Sequence, residues 1–123
     1  MKAPTPIKDK VKIPRQHAIE QLPEERRNNF QEVSLGFTEE LAFVEADRCI
    51  LCKKPVCIDN CPVEVDIPSF IKLILAGDYR GAVEKIRETN YLPIICGRVC
   101  PQENQCELVC TLGKRYEPIA IGK

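Results

Sequence analysis

The centre of the chain, from residue 65 to residue 93, has apolar residues at helical spacing. They fall into two stripes, Phe70, Ile71, Ile74 and Leu75, followed by Ala82, Val83 and Ile86. An amphipathic helix buries such a stripe, whereas a half-buried strand alternates apolar with polar residues. Gly77 favours the end of a first helix and Asp78 the start of a second, which Asn90 and Pro93 end. The pattern therefore predicts two helices packed as an αα-hairpin.

Residues 1–36 show a different pattern. Prolines interrupt a strongly charged segment at Pro4, Pro6, Pro14 and Pro23. Since proline fixes φ and has no backbone N–H, this segment is predicted to be an extended arm. One short helix is expected to begin at Pro23, because proline suits a first-turn position and acidic residues follow it.

Residues 37–123 are predicted to form a helical domain. Gly36 interrupts the chain, and Thr38 can cap a helix that leads to the first cysteines. Further along, the stretch "ENQCELVCTLG" predicts a last helix closed by Gly113. No segment shows sustained alternation of apolar and polar residues, so no sheet is expected. The predicted fold class is all-α, with long functional loops.

Length and charge limit the possible partners. At 123 residues the chain is one small domain, or a domain with an ordered arm. Eighteen basic and eighteen acidic residues cancel, so net charge gives no general attraction to nucleic acid or to an anionic membrane. The first residues lack an apolar signal segment, and no apolar run approaches the roughly 20 residues that span a bilayer. We therefore expect a cytoplasmic protein without nucleic-acid or membrane partners.

The eight cysteines form two groups of four. The first group is Cys49, Cys52, Cys57 and Cys61, and the second is Cys96, Cys100, Cys106 and Cys110. Cytoplasmic thiols are kept reduced, which favours metal binding over disulfides. Soft thiolates select zinc, copper(I) or iron–sulfur clusters rather than magnesium or calcium. The metal bound by these cysteines is therefore expected to be either zinc or the iron of an iron–sulfur cluster.

The spacing of the first group favours iron–sulfur clusters. A structural zinc ion usually lies between two separated ligand pairs, whereas Cys49, Cys52 and Cys57 offer three ligands within nine residues. Pro62 pushes Cys61 toward an extended conformation, so its sulfur can point away from the first three. We therefore predict two 4Fe-4S clusters with crossed ligation. One takes a fourth ligand from the second group, and the other combines Cys61 with two or three cysteines of that group.

The second group suits this crossed arrangement. Cys106 and Cys110 are four residues apart, so on a helix they share a face and differ by one turn, which lets one serve each cluster. Two alternatives stay open. The metals could be zinc ions that stabilise a helical protein-interaction module, or the helices and arm could fold without any metal.

Three stretches of the sequence resemble a known family. They are "CILCKKPVCIDNCPVEVDIPSFIKLI", "CGRVCPQENQCELVC" and "EPIAIGK". They are similar to the N-terminal iron–sulfur domain of the glutamate synthase small subunit, which is related to the N-terminal domain of dihydropyrimidine dehydrogenase. The resemblance covers almost the whole chain. It implies an α-helical ferredoxin fold with two 4Fe-4S clusters.

The resemblance also implies a set of ligands. It assigns one cluster to Cys49, Cys52, Cys57 and Cys110, and the other to Cys61, Cys100 and Cys106. The fourth ligand of the second cluster in relatives is a carboxylate or amide a few residues past the "IAIG" stretch, beyond Lys123. Three possibilities follow: the second cluster is incompletely held, Cys96 substitutes, or a residue outside this chain supplies the ligand. Cys96 has the alternative role of a small buried thiol beside the cluster.

The function implied by the resemblance is electron transfer. The domain would link the flavin of an NAD(P)H-dependent oxidoreductase to a partner, either the glutamate synthase large subunit or another redox subunit. FAD and NADPH would bind only to C-terminal flavin domains of the parent chain. None of the six glycines forms a G-x-G-x-x-G turn for a dinucleotide. We therefore expect an excised domain that is not catalytic alone.

Individual residues near the cysteines have competing interpretations. A cation at Arg48 or Arg98 would raise a cluster's reduction potential, but a solvated surface arginine is the favoured interpretation for both. Gly97 either allows close approach of the backbone to a cluster or serves as a plain turn glycine. His17 lies in the arm without a second metal ligand nearby in the sequence.

Overall fold

The protein is predominantly helical in a computed structural model that describes residues 5–123. Residues 1–4 of the predicted arm, with Pro4, lie outside this range. The α-helices are α1 Ile7–Lys10, α2 Pro23–Arg26, α3 Glu39–Arg48, α4 Val56–Asp59, α5 Ile67–Leu75, α6 Tyr79–Arg87 and α7 Pro93–Val99. Two short 3-10 helices span Gln102–Asn104 and Leu112–Lys114. The strands are β1 Ile19–Glu20 and β2 Ser34–Gly36. Within the described range, no helix is long and apolar enough to cross a bilayer.

The predicted αα-hairpin is confirmed as α5 and α6, which pack against each other. Gly77 ends α5 with a φ of +76°, the left-handed conformation that glycine adopts without strain. Asp78 then caps α6, because its Oδ1 accepts a hydrogen bond from the N–H of Gly81 at 2.8 Å. Asp66 caps α5 in the same way through Ser69, at 3.3 Å. These local contacts fix where both helices begin and end.

The core lies between this hairpin, the end of α3 and the C-terminal segment, residues 117–123. Its buried apolar residues are Ala46, Val65, Ile67, Phe70, Ile71, Ala82, Cys106, Leu112 and Ile119. Helix α5 packs on α3, so the hairpin lies directly behind the first cysteines. Thr38 caps α3 as predicted, by accepting from the N–H of Leu41 at 3.3 Å.

The expectation of no sheet is wrong in one detail. β1 and β2 form an antiparallel pair within the arm, and the N–H of Gln21 extends it by donating to the carbonyl of Val33 at 2.9 Å. Each strand has only two or three residues, too few for alternation of apolar and polar residues to be visible in the sequence.

The predicted last helix over "ENQCELVCTLG" is also wrong. Gln105, at φ −121° and ψ −117°, lies outside the helical region and ends the first 3-10 helix. The carbonyl of Gln102 then accepts from the N–H groups of both Gln105 and Glu107, each at 3.0 Å. As a result, Cys106 lies in a turn and Cys110 in the irregular segment that follows it, rather than on one face of a helix.

Among residues 5–123, Arg48 is the most buried large side chain, with 1% of its surface exposed. The interpretation of Arg48 as a solvated surface arginine is therefore wrong. Its Nη1 donates to Glu45 Oε1 at 2.6 Å, one turn back on α3. The guanidinium also donates to three carbonyls, those of Ile13 at 3.0 Å, Glu117 at 2.7 Å and Pro118 at 3.3 Å.

Glu45 makes the matching contacts from the carboxylate side. Its Oε2 accepts from the N–H of Gln16 at 2.8 Å, and its Oε1 accepts from the N–H of Ala120 at 2.8 Å. The Glu45–Arg48 pair thus binds the arm and the C-terminal segment to the same end of α3. Arg15 adds a second link, because it donates to Glu107 at 2.7 Å and to the Pro118 carbonyl at 3.0 Å.

Replacement of Arg48 by methionine should lower the free energy of unfolding by about 3–5 kcal/mol, because it leaves the buried Glu45 carboxylate without its cation. Urea unfolding followed by circular dichroism measures this, with all variants in the same metal state. The matched control is Arg98→Met, since Arg98 is exposed, and its expected change is within about 0.5 kcal/mol. Equal changes for the two variants would contradict the structural role of Arg48.

Candidate metal centre

The first three cysteines lie on a loop that leaves the end of α3. Cys49 ends the helix by turning to an extended conformation, at φ −63° and ψ 126°. Leu51 follows with a φ of +48°, a strained conformation for a residue other than glycine. Burial, the largest effect, raises the pKa of the Cys49 thiol, and a hydrogen bond from the Leu51 backbone lowers it. Cys57 lies in the short helix α4.

A small cavity of about 30 Å³, partly open to solvent, lies beside this loop. Four cysteines line it, Cys49, Cys52, Cys57 and Cys110. The rest of the wall is mostly apolar, from Ile50, Pro55, Val56, Ile67, Pro68, Ile71, Thr111, Leu112, Ile119 and Ile121. The structure therefore brings together the four cysteines that the resemblance assigns to one cluster.

The four thiols of the cavity, hereafter the first group, repel one another as anions. Burial raises the pKa of Cys57 to about 12, and the neighbouring sulfurs of Cys49, Cys110 and Cys52 add to the rise. Burial likewise raises the pKa of Cys49, and Cys110 and Cys52 again contribute. Four thiolates can coexist here only when positive charge is supplied between them. This donor set fits a cationic iron centre.

The other four cysteines, hereafter the second group, are Cys61, Cys96, Cys100 and Cys106. Burial raises the pKa of Cys106 to about 11, with further effects from Glu107 and Cys61. The pKa of Cys100 is raised by burial, then by Cys96, and then by Cys61. Cys61 thus acts on both Cys100 and Cys106 of the second sequence group, and Cys96 acts on Cys100. This is the relation that the predicted crossed ligation requires.

Local structure explains how these cysteines are placed. Cys100 ends α7 in an extended conformation, at φ −62° and ψ 133°, because Pro101 disfavours the helical region for the preceding residue. Cys96 lies inside α7, and its thiol donates to Asn90 Oδ1 at 3.5 Å. Cys106 is the one cysteine classed as buried.

All eight cysteines are free thiols. Within residues 5–123, no three His, Cys, Asp or Glu side chains lie close enough together to hold a single metal ion. Neighbouring sulfurs nevertheless help to raise the pKa values of Cys49 and Cys57 in one group and of Cys100 and Cys106 in the other. His17 is exposed in the arm, away from both groups.

Two polar residues that the sequence analysis did not single out join the cysteine segments. Asn60, next to Cys61, donates to the carbonyl of Gln105 at 2.6 Å and so ties the two segments together. Gln102 is buried and donates to the carbonyl of Gly97 at 3.1 Å. The position of Asn60 between two cysteines was the only signal in the sequence for its role.

Gly97 and Arg98 lie on α7. Gly97 is not a plain turn glycine, because it lies within the helix and a Cβ there would meet the Gly122 carbonyl at 3.0 Å. Because Gly97 has no side chain, the Gly122 carbonyl of the C-terminal segment can lie close to the backbone of α7. Arg98 is exposed, as expected, and pairs with Glu32 of the arm.

The two groups of four thiols on a small helical scaffold define a cysteine-liganded iron–sulfur domain. A family model described as dihydropyrimidine dehydrogenase domain II, 4Fe-4S cluster, matches residues 26–123. The chain belongs to this family, and the resemblance drawn from the sequence is confirmed.

Relatives of this chain are oxidoreductases or their subunits. The glutamate synthase [NADPH] small chain of Escherichia coli K12 is 42% identical over 97 residues, which cover 79% of this chain and 21% of that protein. The NAD-dependent dihydropyrimidine dehydrogenase subunit PreT of the same strain is 41% identical over 98 residues, covering 80% and 24% respectively. The putative oxidoreductase AegA is 42% identical over 100 residues, covering 80% and 15%. The chain therefore spans at most about a quarter of the length of these relatives.

In the predicted two-cluster arrangement, substitution of Cys57 by serine should remove one centre, because a hydroxyl is a harder and weaker ligand for iron than a thiolate. After anaerobic reconstitution with iron and sulfide, we expect roughly half of the iron of the unsubstituted protein, with a lower midpoint of unfolding. Iron analysis and thermal unfolding measure the two effects. Full iron content with an unchanged unfolding curve would show that Cys57 is not a ligand.

Cys96→Ser distinguishes the two roles left open for Cys96. A fourth ligand of the second centre should cause iron loss comparable to that in Cys57→Ser, whereas a small thiol held by Asn90 should leave the iron content unchanged. The same iron analysis, made beside a Cys106→Ser variant that should lose the second centre, decides between them.

Proposed function

We propose that this chain is an electron-transfer module that carries two 4Fe-4S clusters. The proposed ligands of the first cluster are Cys49, Cys52, Cys57 and Cys110. Those of the second are Cys61, Cys100 and Cys106, with Cys96 as a candidate fourth ligand. The observation that carries the proposal is that Cys110 lines the same cavity as Cys49, Cys52 and Cys57. The influence of Cys61 on the pKa values of Cys100 and Cys106 supports the crossing of the two sequence segments. Four soft thiolates in each group suit an iron–sulfur cube.

The residues around each group contribute binding, burial and hydrogen bonds. Bound clusters would supply one-electron oxidation and reduction. Each ligand thiol gives up its proton on binding, which the raised pKa values of Cys57 and Cys106 oppose until iron is present. Apolar side chains such as Ile67 and Ile71 limit water at the first group. The Leu51 N–H stabilises negative charge on the sulfur of Cys49.

The proposed reaction is the passage of single electrons between two redox partners. A reduced flavin of an NAD(P)H-dependent oxidoreductase loses one electron, the module gains it, and an oxidised acceptor then takes it. No covalent bond forms or breaks on this chain, so the module is not catalytic alone. The glutamate synthase and PreT relatives, named for NADPH and NAD, support this class of parent enzyme.

The proposed partners are the C-terminal flavin domains of the parent enzyme and a second redox subunit. That subunit is the glutamate synthase large subunit or another acceptor. FAD and NADPH would bind the flavin domains rather than this module. We place the assembly in the cytoplasm, where reduced thiols are available for cluster binding. We also retain the division into an arm, 1–36, and a helical iron–sulfur domain of the α-helical ferredoxin type, 37–123.

Metal analysis of protein purified without oxygen tests the proposal against a zinc-stabilised interaction module. We expect about eight iron and eight acid-labile sulfide per chain, a brown colour with broad absorption near roughly 400 nm, and a paramagnetic resonance signal after reduction by dithionite. Two zinc ions per chain with neither iron nor sulfide would overturn the electron-transfer function.

A further inference from the structure

Lys10 is a buried lysine at the edge of the first cysteine group. It is the last residue of α1 in the arm, and 5% of its surface is exposed. Lysine is almost never buried to this extent unless its charge is paired. Its Nζ lies 3.2 Å from Asp47 Oδ1, and it donates a hydrogen bond to the backbone carbonyl of Cys49 at 3.1 Å.

The Lys10 ammonium is therefore held against a lining residue of the first cavity. Cys49 is the point at which α3 ends and the cysteine loop begins. Asp47 lies two residues earlier, and its Oδ2 accepts from the hydroxyl of Thr5, which fixes the carboxylate from the other side. The ion pair and the bond to the Cys49 carbonyl together leave the ammonium little freedom to move away.

The ammonium acts on the sulfur as well as on the backbone. Burial is the main cause of the raised pKa of Cys49, and the positive charge of Lys10 opposes it. Because the ammonium also donates to the Cys49 carbonyl, the positive end of the Lys10–Asp47 pair is the end directed at the cysteine loop.

The second group has a different electrostatic neighbour. Glu107, adjacent to Cys106, is 5% exposed and raises the pKa of that thiol after burial, the larger effect. Its carboxylate is paired with Arg15 at 2.7 Å. Lys10 has no contact with these residues, so its influence should be confined to the first group.

We infer that Lys10 is a positioning residue that raises the reduction potential of the cluster held by Cys49, Cys52, Cys57 and Cys110. The inference rests on the proposed function, since it requires that cluster. Reduction adds one electron to the centre and makes it more negative. A fixed cation in a region of low dielectric stabilises that added charge. The arm thereby sets the potential of a centre to which it contributes no ligand.

Redox titration of the anaerobically reconstituted chain tests this role. Dithionite is the reductant, and paramagnetic resonance follows the two clusters separately. Lys10→Met should reduce the equilibrium constant for reduction of one cluster about tenfold, which is about 59 mV for a one-electron couple. The other cluster should keep its potential. Lys12→Met is the matched control, because Lys12 is exposed and pairs with the arm residue Asp9, and it should change neither potential.

Two further variants separate charge from packing. Asp47→Asn removes the carboxylate but keeps the ammonium, so it should shift the same cluster in the opposite direction, to a higher potential. Lys10→Arg keeps the charge and should restore most of the potential lost in Lys10→Met. If the Lys10→Met variant does not hold the first cluster, Asp47→Asn tests the role of Lys10 instead. A higher potential of the first cluster in Asp47→Asn would support that role, and an unchanged or lower potential would overturn it.

The outcomes distinguish this inference from the proposed function. Absence of iron and sulfide from the unsubstituted protein would overturn both. Two bound clusters whose potentials stay the same in Lys10→Met and Asp47→Asn would overturn the role of Lys10 alone. A shift in Lys10→Arg as large as that in Lys10→Met would assign the effect to packing and would also overturn it.

Discussion

The buried pair of Glu45 and Arg48 is the interaction on which the rest of the structure depends. Both charges lie inside the protein, and removing them from water is costly unless every remaining polar atom is also bonded. The bonds that complete the pair come from backbone groups of the arm and of the C-terminal segment. The stability of α3 at this point therefore requires both segments to be in place. Because Cys49 follows Arg48 directly, the same requirement applies to the first cysteine loop.

Local rules were sufficient for the scaffold behind the site. The hairpin of α5 and α6 was predictable because its apolar stripes repeat at helical spacing and its boundary residues, Gly77 and Asp78, act on their own neighbours. The start of α3 at Thr38 was predictable for the same reason. The division of the cysteines into two groups followed from spacing, and the family that the sequence resembles supplied the pairing of Cys110 with the first three.

Features that the sequence did not predict depend on contacts between distant residues. Arg15 and its Pro118 partner are 103 positions apart, and Arg48 reaches a carbonyl 70 positions away. No pattern within a short window indicates such pairs, so Arg48 looked like a surface residue. The last predicted helix failed for a related reason. The hydrogen bond that Arg15 donates to Glu107 and the burial of Cys106 favour turns over the helix that local propensity suggests.

The cavity at the first cysteines has walls from both halves of the chain, and this has a consequence for biosynthesis. Cys49, Cys52 and Cys57 leave the ribosome long before Cys110 and the apolar wall around Ile119. Until those later residues emerge, the first three thiols are exposed to solvent and lack Cys110, the fourth cysteine of the cavity. Arg15 likewise cannot donate to the Pro118 carbonyl, and so bind the arm to the C-terminal segment, until Pro118 has been made. The pocket is thus complete only after the segment around Ile119 has been made, although three of its four thiols are translated much earlier.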